Sequence, residues 1–362
     1  MIRFIPIGGF LGAGKTTTML AVAQRLEAAG ETVSIVTNDQ GVDLVDTQLA
    51  RDTDAASVSE VTGGCFCCRF DDLAAVIEQL GKDVEPTVVL AEAVGSCTDL
   101  QSTVVRPLRQ LYGDTLQVAP LVVLVDPVRY GALSRFWSAE DTEPDMAYLF
   151  RHQLDEADVI AVNKTDLFSS ADVSAIVDHI QVRFPDARII SYSATTGDGI
   201  EELVQMWTSG TVTDPARRAF DVDYDRYGAA EAELAWTNQT FDLTATTDTF
   251  VPAAWVKQFL GAFSTAIADA TVGHVKIRVA TSDGATKASL TGAADPSYDE
   301  QQWIPAATGA ATLNARVAMS PEDLEQAIAA ATDHGDAAAE AKTSGRTGDI
   351  FRPGFPVPVH RM

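Results

Sequence analysis

Gly9-Phe10-Leu11-Gly12-Ala13-Gly14-Lys15-Thr16 satisfies G-x-x-x-x-G-K-[ST]. At this spacing a glycine-rich turn wraps backbone N–H groups around phosphates, and the helix that follows adds its positive dipole end. The surroundings agree: an apolar run, Arg3–Ile7, precedes the turn and a helical pattern over Thr16–Ala28 follows it. In this frame Gly12, Ala13 and Gly14 line the turn and Lys15 reaches the β- and γ-phosphates. Thr16 holds Mg²⁺ through its hydroxyl, and Thr17 lies on the α-phosphate side. Pro6 sits inside the strand that feeds the loop, where it cannot donate to a ladder, so a bulge or an unpaired N–H position is expected there.

Working outward, short apolar runs alternate with helical patterns as far as about residue 205, the signature of a parallel sheet wrapped by helices. The strands are expected at Arg3–Ile7, Val33–Thr37, Thr87–Ala91, Leu121–Val125, Val159–Val162 and Arg188–Tyr192. Thr87–Ala91 and Leu121–Val125 lack polar alternation, as strands buried on both faces do. The reading is an α/β, doubly wound, mostly parallel sheet over residues 1–209 and a polar linker over 210–230. A smaller α+β domain of ferredoxin-like type follows over 231–335, then a mobile and extended tail over 336–362. Ala, Gly and charge over 336–349 suggest mobility, and Pro353, Pro356 and Pro358 favour an extended end.

Beyond the phosphate loop, Asn163-Lys164-Thr165-Asp166 follows the run Val159–Val162 and matches N-K-x-D. The Asp166 carboxylate can accept from the N1–H and exocyclic amine of guanine, a donor pair adenine lacks, so GTP and GDP are favoured over adenine nucleotides. Ser193-Ala194-Thr195 follows another strand and resembles the loop that completes such a pocket with a backbone N–H to O6. Glu92 ends the strand Thr87–Ala91, placed to act near Mg²⁺ or the attacking water, and Gly95 can offer its N–H to the γ-phosphate. Asp39, in Asn38-Asp39-Gln40-Gly41 after the second strand, is a candidate switch that binds Mg²⁺ or orients water. An Asx turn is its plain alternative.

Three of the four cysteines crowd into Cys65-Phe66-Cys67-Cys68, directly after Gly63-Gly64. Neighbours this close make strained disulfides, whereas a tight loop can aim their sulfurs at one point. Three thiolates suit a soft or borderline ion such as Zn²⁺ or Cu(I) and leave a fourth position open. Cys97 lies just beyond Gly95: it could approach or leave this cluster if the γ-phosphate moves its loop, or be a packed thiol.

Composition narrows the classes. With 26 Lys plus Arg against 51 Asp plus Glu the net charge is −25, which argues against a nucleic-acid or anionic-membrane partner. The apolar runs fall short of a membrane span, and the first residues pass into the glycine loop without the pattern of a secretory signal, so a cytoplasmic protein is expected.

Gly8–Thr17, the Gly64-Cys65-Phe66-Cys67-Cys68 motif, Glu92 with Gly95, and Asn163–Asp166 together resemble the CobW family of P-loop GTPases, relatives of the urease and hydrogenase accessory GTPases. The resemblance implies GTP hydrolysis coupled to binding and delivery of a divalent metal, Zn²⁺, Co²⁺ or Ni²⁺, with Cys65, Cys67 and Cys68 as ligands. It places functional positions on Lys15, Thr16, Asp39, Glu92, Asn163 and Asp166 and implies a metal-requiring client protein. The segment Ala93–Asp99 departs from the family's usual run after the acidic residue, and no histidine-rich stretch is present. A second reading is a chaperone or gatekeeper for a cobalamin- or corrinoid-dependent enzyme, the metal being structural. A homo-oligomer is compatible with either. An ATP-dependent kinase or synthetase is disfavoured by Asp166.

Overall fold

The computed structural model describes residues 1–38, 57–137, 143–208, 221–291 and 296–362. They divide into two compact units: one holds the described residues up to Ala230 together with Phe355–Met362, the other Glu231–Gly354. Asp39, the candidate switch residue, lies outside the described residues.

The first unit is built on an eight-stranded sheet in the order β3-β2-β4-β1-β6-β7-β8, with β5 also beside β1. Its strands are β1 (Ile2–Gly9), β2 (Val33–Asn38), β3 (Ser57–Val61), β4 (Val88–Glu92), β5 (Leu116–Val118), β6 (Val122–Val125), β7 (Val159–Val162) and β8 (Arg188–Ser191). All their pairings are parallel. The helices of this unit include α1 (Lys15–Ala28), α2 (Phe70–Asp83), α3 (Arg106–Tyr112), α4 (Pro127–Ser134), α5 (Asp145–Asp155), α6 (Ser170–Arg183) and α7 (Ile200–Thr208). Every residue of β2, β4, β6 and β7 is buried, as in strands covered on both faces.

Pro6 is accommodated without a bulge. Residues of a parallel strand face alternate neighbours: Arg3 N–H donates to Thr87 O and Ile7 O accepts from Ala93 N–H beside β4, while Phe4 O accepts from Ala119 N–H on the other side. Pro6 therefore faces the β5/β6 side, where β5 pairs up to Phe4 and β6 begins at Ile7. Its missing N–H falls in that gap.

The second unit is an antiparallel sheet in the order β12-β11-β10-β13-β9-β14, with β15 also on β9. After α8 (Tyr224–Ala232), in which the boundary between units falls, come β9 (Ala235–Ala245), α9 (Pro252–Ala266), β10 (Val272–Thr281), β11 (Gly284–Leu290), β12 (Ser297–Glu300), β13 (Thr308–Val317), α10 (Pro321–Ala339), β14 (Ala341–Thr347) and β15 (Ile350–Phe351). Without the β11–β12 pair this is the βαββαβ arrangement of a ferredoxin-like sandwich, its core filled by Trp255, Phe259 and Phe263 of α9 against strand residues such as Leu243, Ile277 and Leu313.

Two segments differ from the sequence reading. Part of the expected linker is helical: the Asp223 carboxylate accepts from the N–H groups of Asp225 and Arg226, capping α8. The segment expected to be mobile over 336–349 instead carries the end of α10 and the edge strand β14. Asp336 fixes it, accepting from Trp255 Nε1 at 2.8 Å and Thr343 N at 2.7 Å, and Glu340 turns the chain in the left-handed region (φ 53°).

Candidate functional site

The phosphate loop joins β1 to α1. Gly14 precedes the helix at φ 88°, and a Cβ there would lie 2.4 Å from Asn163 Nδ2, so both the backbone and the neighbour require glycine. No side chain caps the N-terminus of α1, which leaves its first N–H groups directed at the loop. Lys15 and Thr16 are buried; the Lys15 ammonium donates to Gly9 O at 2.8 Å and lies 3.9 Å from Glu92 Oε1. Thr16 Oγ1 donates to Glu92 Oε2 at 2.9 Å. The structure thus brings Lys15, Thr16 and Glu92 together, and their hydroxyl and carboxylate oxygens form the donor set that a hard cation such as Mg²⁺ selects. Thr17 is exposed at the same helix end. Gly95 lies against the loop: a Cβ on it would stand 2.6 Å from Leu11 Cδ2 and 3.0 Å from Leu11 N.

Asn163, at the end of β7, ties three loops together. Its Nδ2 donates to Ala13 O at 3.0 Å, and its Oδ1 accepts from Lys164 N at 2.8 Å and Ala194 N at 3.0 Å. Ser193 is buried beside Ala194, and Asp166 is exposed on the turn Thr165–Leu167. Lys164 reaches Asp126 at 2.6 Å, while the other Asp126 oxygen caps α4 through Val128 N and Arg129 N. Sequence reasoning missed Asp126, although Asp-Pro at a strand end is a helix-start signal. It also missed Tyr192, whose hydroxyl lies 2.7 Å from that of Thr18; the sequence carries no signal for that pair.

The cysteine loop runs from β3 into α2. Gly63 is at φ 77°, and the turn closes with Cys68 N and Arg69 N both donating to Cys65 O. The sulfurs converge: Cys65–Cys67 is 2.7 Å, Cys65–Cys68 3.3 Å and Cys67–Cys68 3.8 Å, all as free thiols. Cys65 and Cys67 are buried and Cys68 partly so. The Cys65 thiol is held well below the usual range by side-chain hydrogen bonding with Cys67, Cys68 and Cys97, against burial. Cys67 is pushed well up, and Cys68 to about 11, chiefly because their protons are engaged by Cys65. The cluster thus presents sulfur donors already gathered, the chemistry Zn²⁺ or Co²⁺ selects.

Two features anchor this loop that the sequence did not announce. Asn38, the last residue of β2, donates to Val61 O at 3.0 Å and Gly64 O at 2.8 Å, and its Oδ1 accepts from Phe66 N at 2.8 Å. The end of the chain crosses the same place: Val357 N–H donates to Cys68 Sγ at 3.2 Å and Val359 N–H to Cys67 O at 2.9 Å. His360 packs edge-on against Phe70, with centroids 4.8 Å apart. Arg361 reaches Asp99, which also accepts from the Tyr224 hydroxyl.

Residues 3–191 match the family model described as CobW/HypB/UreG, nucleotide-binding domain. Among curated proteins the chain is 27% identical over 230 residues to a zinc chaperone CobW from Sinorhizobium sp, covering 59% of this chain and 64% of that one. It is 23% identical over 219 residues to a zinc-regulated GTPase metalloprotein activator from Dictyostelium discoideum, covering 51% and 44%. The match thus spans less than two thirds of the length of either relative. Among solved structures, a Zn(II)-bound YjiA GTPase from E. coli aligns at 16% identity and a TM-score of 0.36 over 92% of this chain and 98% of that one.

Proposed function

Because this chain belongs to the CobW/HypB/UreG family through its nucleotide-binding domain, we propose that it is a GTP-binding and GTP-hydrolysing metallochaperone. On this reading its nucleotide state governs uptake and delivery of a divalent transition metal, Zn²⁺ or else Co²⁺ or Ni²⁺, to a client protein. The observation that carries the reading is the convergence of the Cys65, Cys67 and Cys68 sulfurs in a loop that Asn38 fastens to the end of β2.

GTP lies along the loop Gly12–Thr17, with Lys15 on the β- and γ-phosphates and the α1 N-terminus facing them. Asp166 selects guanine, and Asn163 keeps the base loops of Lys164 and Ala194 in register with Ala13. Thr16, Glu92 and Asp39 hold Mg²⁺, which when bound neutralises charge on the phosphate oxygens. Glu92 also orients the attacking water, and Gly95 senses the γ-phosphate through its N–H. Among the described residues no helix is long and apolar enough to cross a membrane.

Titrating Zn²⁺ into the protein loaded with GDP or with a non-hydrolysable GTP analogue tests the reading. One ion per chain, lost when Cys65, Cys67 and Cys68 are all changed to Ser and bound differently in the two nucleotide states, is the expected result. The same stoichiometry without these cysteines would falsify it. The burial of Cys65 and Cys67 supports a second reading, in which the ion is resident and the chain guards a corrinoid-dependent client. A client complex that survives chelation of the metal separates this reading from the first.

A further inference from the structure

Residues 355–362 lie across the cysteine loop and are fastened on either side of it. We infer that this segment is a strap over the metal site, latched by Arg361 on Asp99, and that the ion held by Cys65, Cys67 and Cys68 enters and leaves when the latch opens. The inference rests on the reading that this cluster holds a metal.

The sequence builds the strap. In Phe355-Pro356-Val357-Pro358-Val359 every second residue is proline. Proline favours an extended backbone and removes alternate N–H donors, so the run is barred from pairing as a central strand. The two donors left inside it both go to the cysteine loop. Val357 N–H donates to Cys68 Sγ at 3.2 Å and Val359 N–H to Cys67 O at 2.9 Å. An N–H facing a ligand sulfur supports the charge of the thiolate, as outer partners of metal ligands do.

Both ends of the run are held within the first unit. At the near end Phe355 lies against Gly228 of α8, where a Cβ would stand 2.7 Å from Phe355 Cδ2. At the far end Arg361 Nε donates to Asp99 Oδ2 at 2.8 Å and Met362 N–H to Ser102 O at 2.9 Å. Asp99 is 3% exposed, its backbone stands in the left-handed region at φ 62°, and the same oxygen accepts from the Tyr224 hydroxyl. A buried carboxylate is costly without a cation, and a non-glycine residue in that conformation persists only where its surroundings hold it. Arg361 is that cation. Its side chain is 40% exposed, so water can compete for the bond from outside while the carboxylate stays in place. The strap therefore has one end that can be released without disturbing the cysteine loop beneath it.

Hydrogen exchange and zinc release, measured together on the full-length Zn²⁺-loaded protein, test the latch. In Arg361→Ala the amides of Val357 and Met362 should exchange about tenfold faster, since losing a hydrogen bond to a charged group shifts an opening equilibrium by at least that much. A chelator should capture the Zn²⁺ faster by the same factor, with exchange in β4 unchanged. Faster exchange in the strap with unchanged capture would overturn the inference, and so would no change in either rate. Both results leave zinc uptake and the metallochaperone reading intact, whereas a wild type that takes up no Zn²⁺ sinks both. Should Arg361→Ala not fold, Val359→Pro decides. It removes the N–H given to Cys67 O from an exposed residue that already follows a proline, and it should speed capture in the same way.

Discussion

Asp166 stands exposed on its turn while Asn163 beside it is buried and bonded to three loops. On the proposed reading Asp166 reads the base and Asn163 builds the pocket, so the two should fail differently. Asp166→Asn replaces a charged acceptor by an amide and loses about 1.5–3 kcal/mol per hydrogen bond to guanine. GTP affinity should fall at least tenfold with the melting temperature nearly unchanged, and xanthosine triphosphate, whose C2 carbonyl accepts from the new amide, should bind better than GTP. Equal GTP affinity by calorimetry would remove Asp166 from the base site. The cysteines carry a pH signature. Cys67 and Cys68 hold their protons, the latter to about 11, so an ion must displace them. Apparent metal affinity therefore rises with pH, about tenfold per unit for each proton released, and uptake in weak buffer should acidify the solution measurably. At this scale the sequence was legible wherever one residue type has one chemistry at one spacing, as for Lys15, which lies beside Glu92, and the three clustered cysteines, whose sulfurs converge. Asn38 and Tyr192 were not, because an amide or phenol becomes a clamp only when a distant loop arrives opposite it.

Helix α5 shows how an element can carry a pH response. His152 on this helix packs at a tilt against Tyr148 with centroids 4.2 Å apart, and burial lowers its pKa to about 4, with the Arg151 charge adding to the effect. Glu143 and Asp99 oppose the shift, and Arg226 assists it. Between pH 6.5 and 4 the unfolded chain binds a proton at this residue that the folded chain refuses, so stability falls as the pH drops through that window. The loss from this group is about 2 kcal/mol by pH 4.5, read as the difference in unfolding free energy between wild type and His152→Phe at pH 7 and pH 4.5. Parallel curves for the two proteins would contradict the assignment. The tail Phe355–Met362 gives a second test. The hydrogen bonds donated by Val357, Val359, Arg361 and Met362, with the one Met362 O accepts from Arg106, are worth about 3–7 kcal/mol together. Ending the chain after Gly354 should lower stability by that order and speed capture of bound Zn²⁺ by a chelator. Elements with apolar runs were visible in the sequence: β1, β2, β4, β6, β7 and β8, and most of the second sheet. Three of the missed strands explain themselves, since β3 is a half-exposed edge carrying Ser57, Ser59 and Glu60, β5 has three residues and β14 is a polar edge whose residues are mostly exposed, so none shows the alternation that burial imposes.

Across the whole chain, the first unit ends at Ala230 and resumes at Phe355, so the segment that lies on Cys67 and Cys68 is separated from the rest of its unit by the entire second unit. Nothing local in a Pro-rich tail reveals that return, because its partners are backbone groups and sulfurs nearly three hundred residues earlier. Two connections join the cysteine cluster to the nucleotide loops within the first unit. One is Asn38 at the end of β2, and the other is the turn from Glu92 through Gly95 to Cys97, held by Gln153. If a γ-phosphate draws Gly95 toward itself, the end of β4 beside β2 moves, and Asn38 passes the shift to the loop that holds the three sulfurs. A non-hydrolysable GTP analogue should then weaken Zn²⁺ binding relative to GDP by about tenfold, a coupling of about 1.4 kcal/mol. Thermodynamic reciprocity requires that Zn²⁺ shift the preference between the two nucleotides toward GDP by the same factor. In Asn38→Ala both effects should shrink together, because the tie between the end of β2 and the cysteine loop is gone. Calorimetric titrations in both orders close the cycle; a wild type in which the two factors are equal to one would mean that the turn after β4 transmits nothing to the sulfurs.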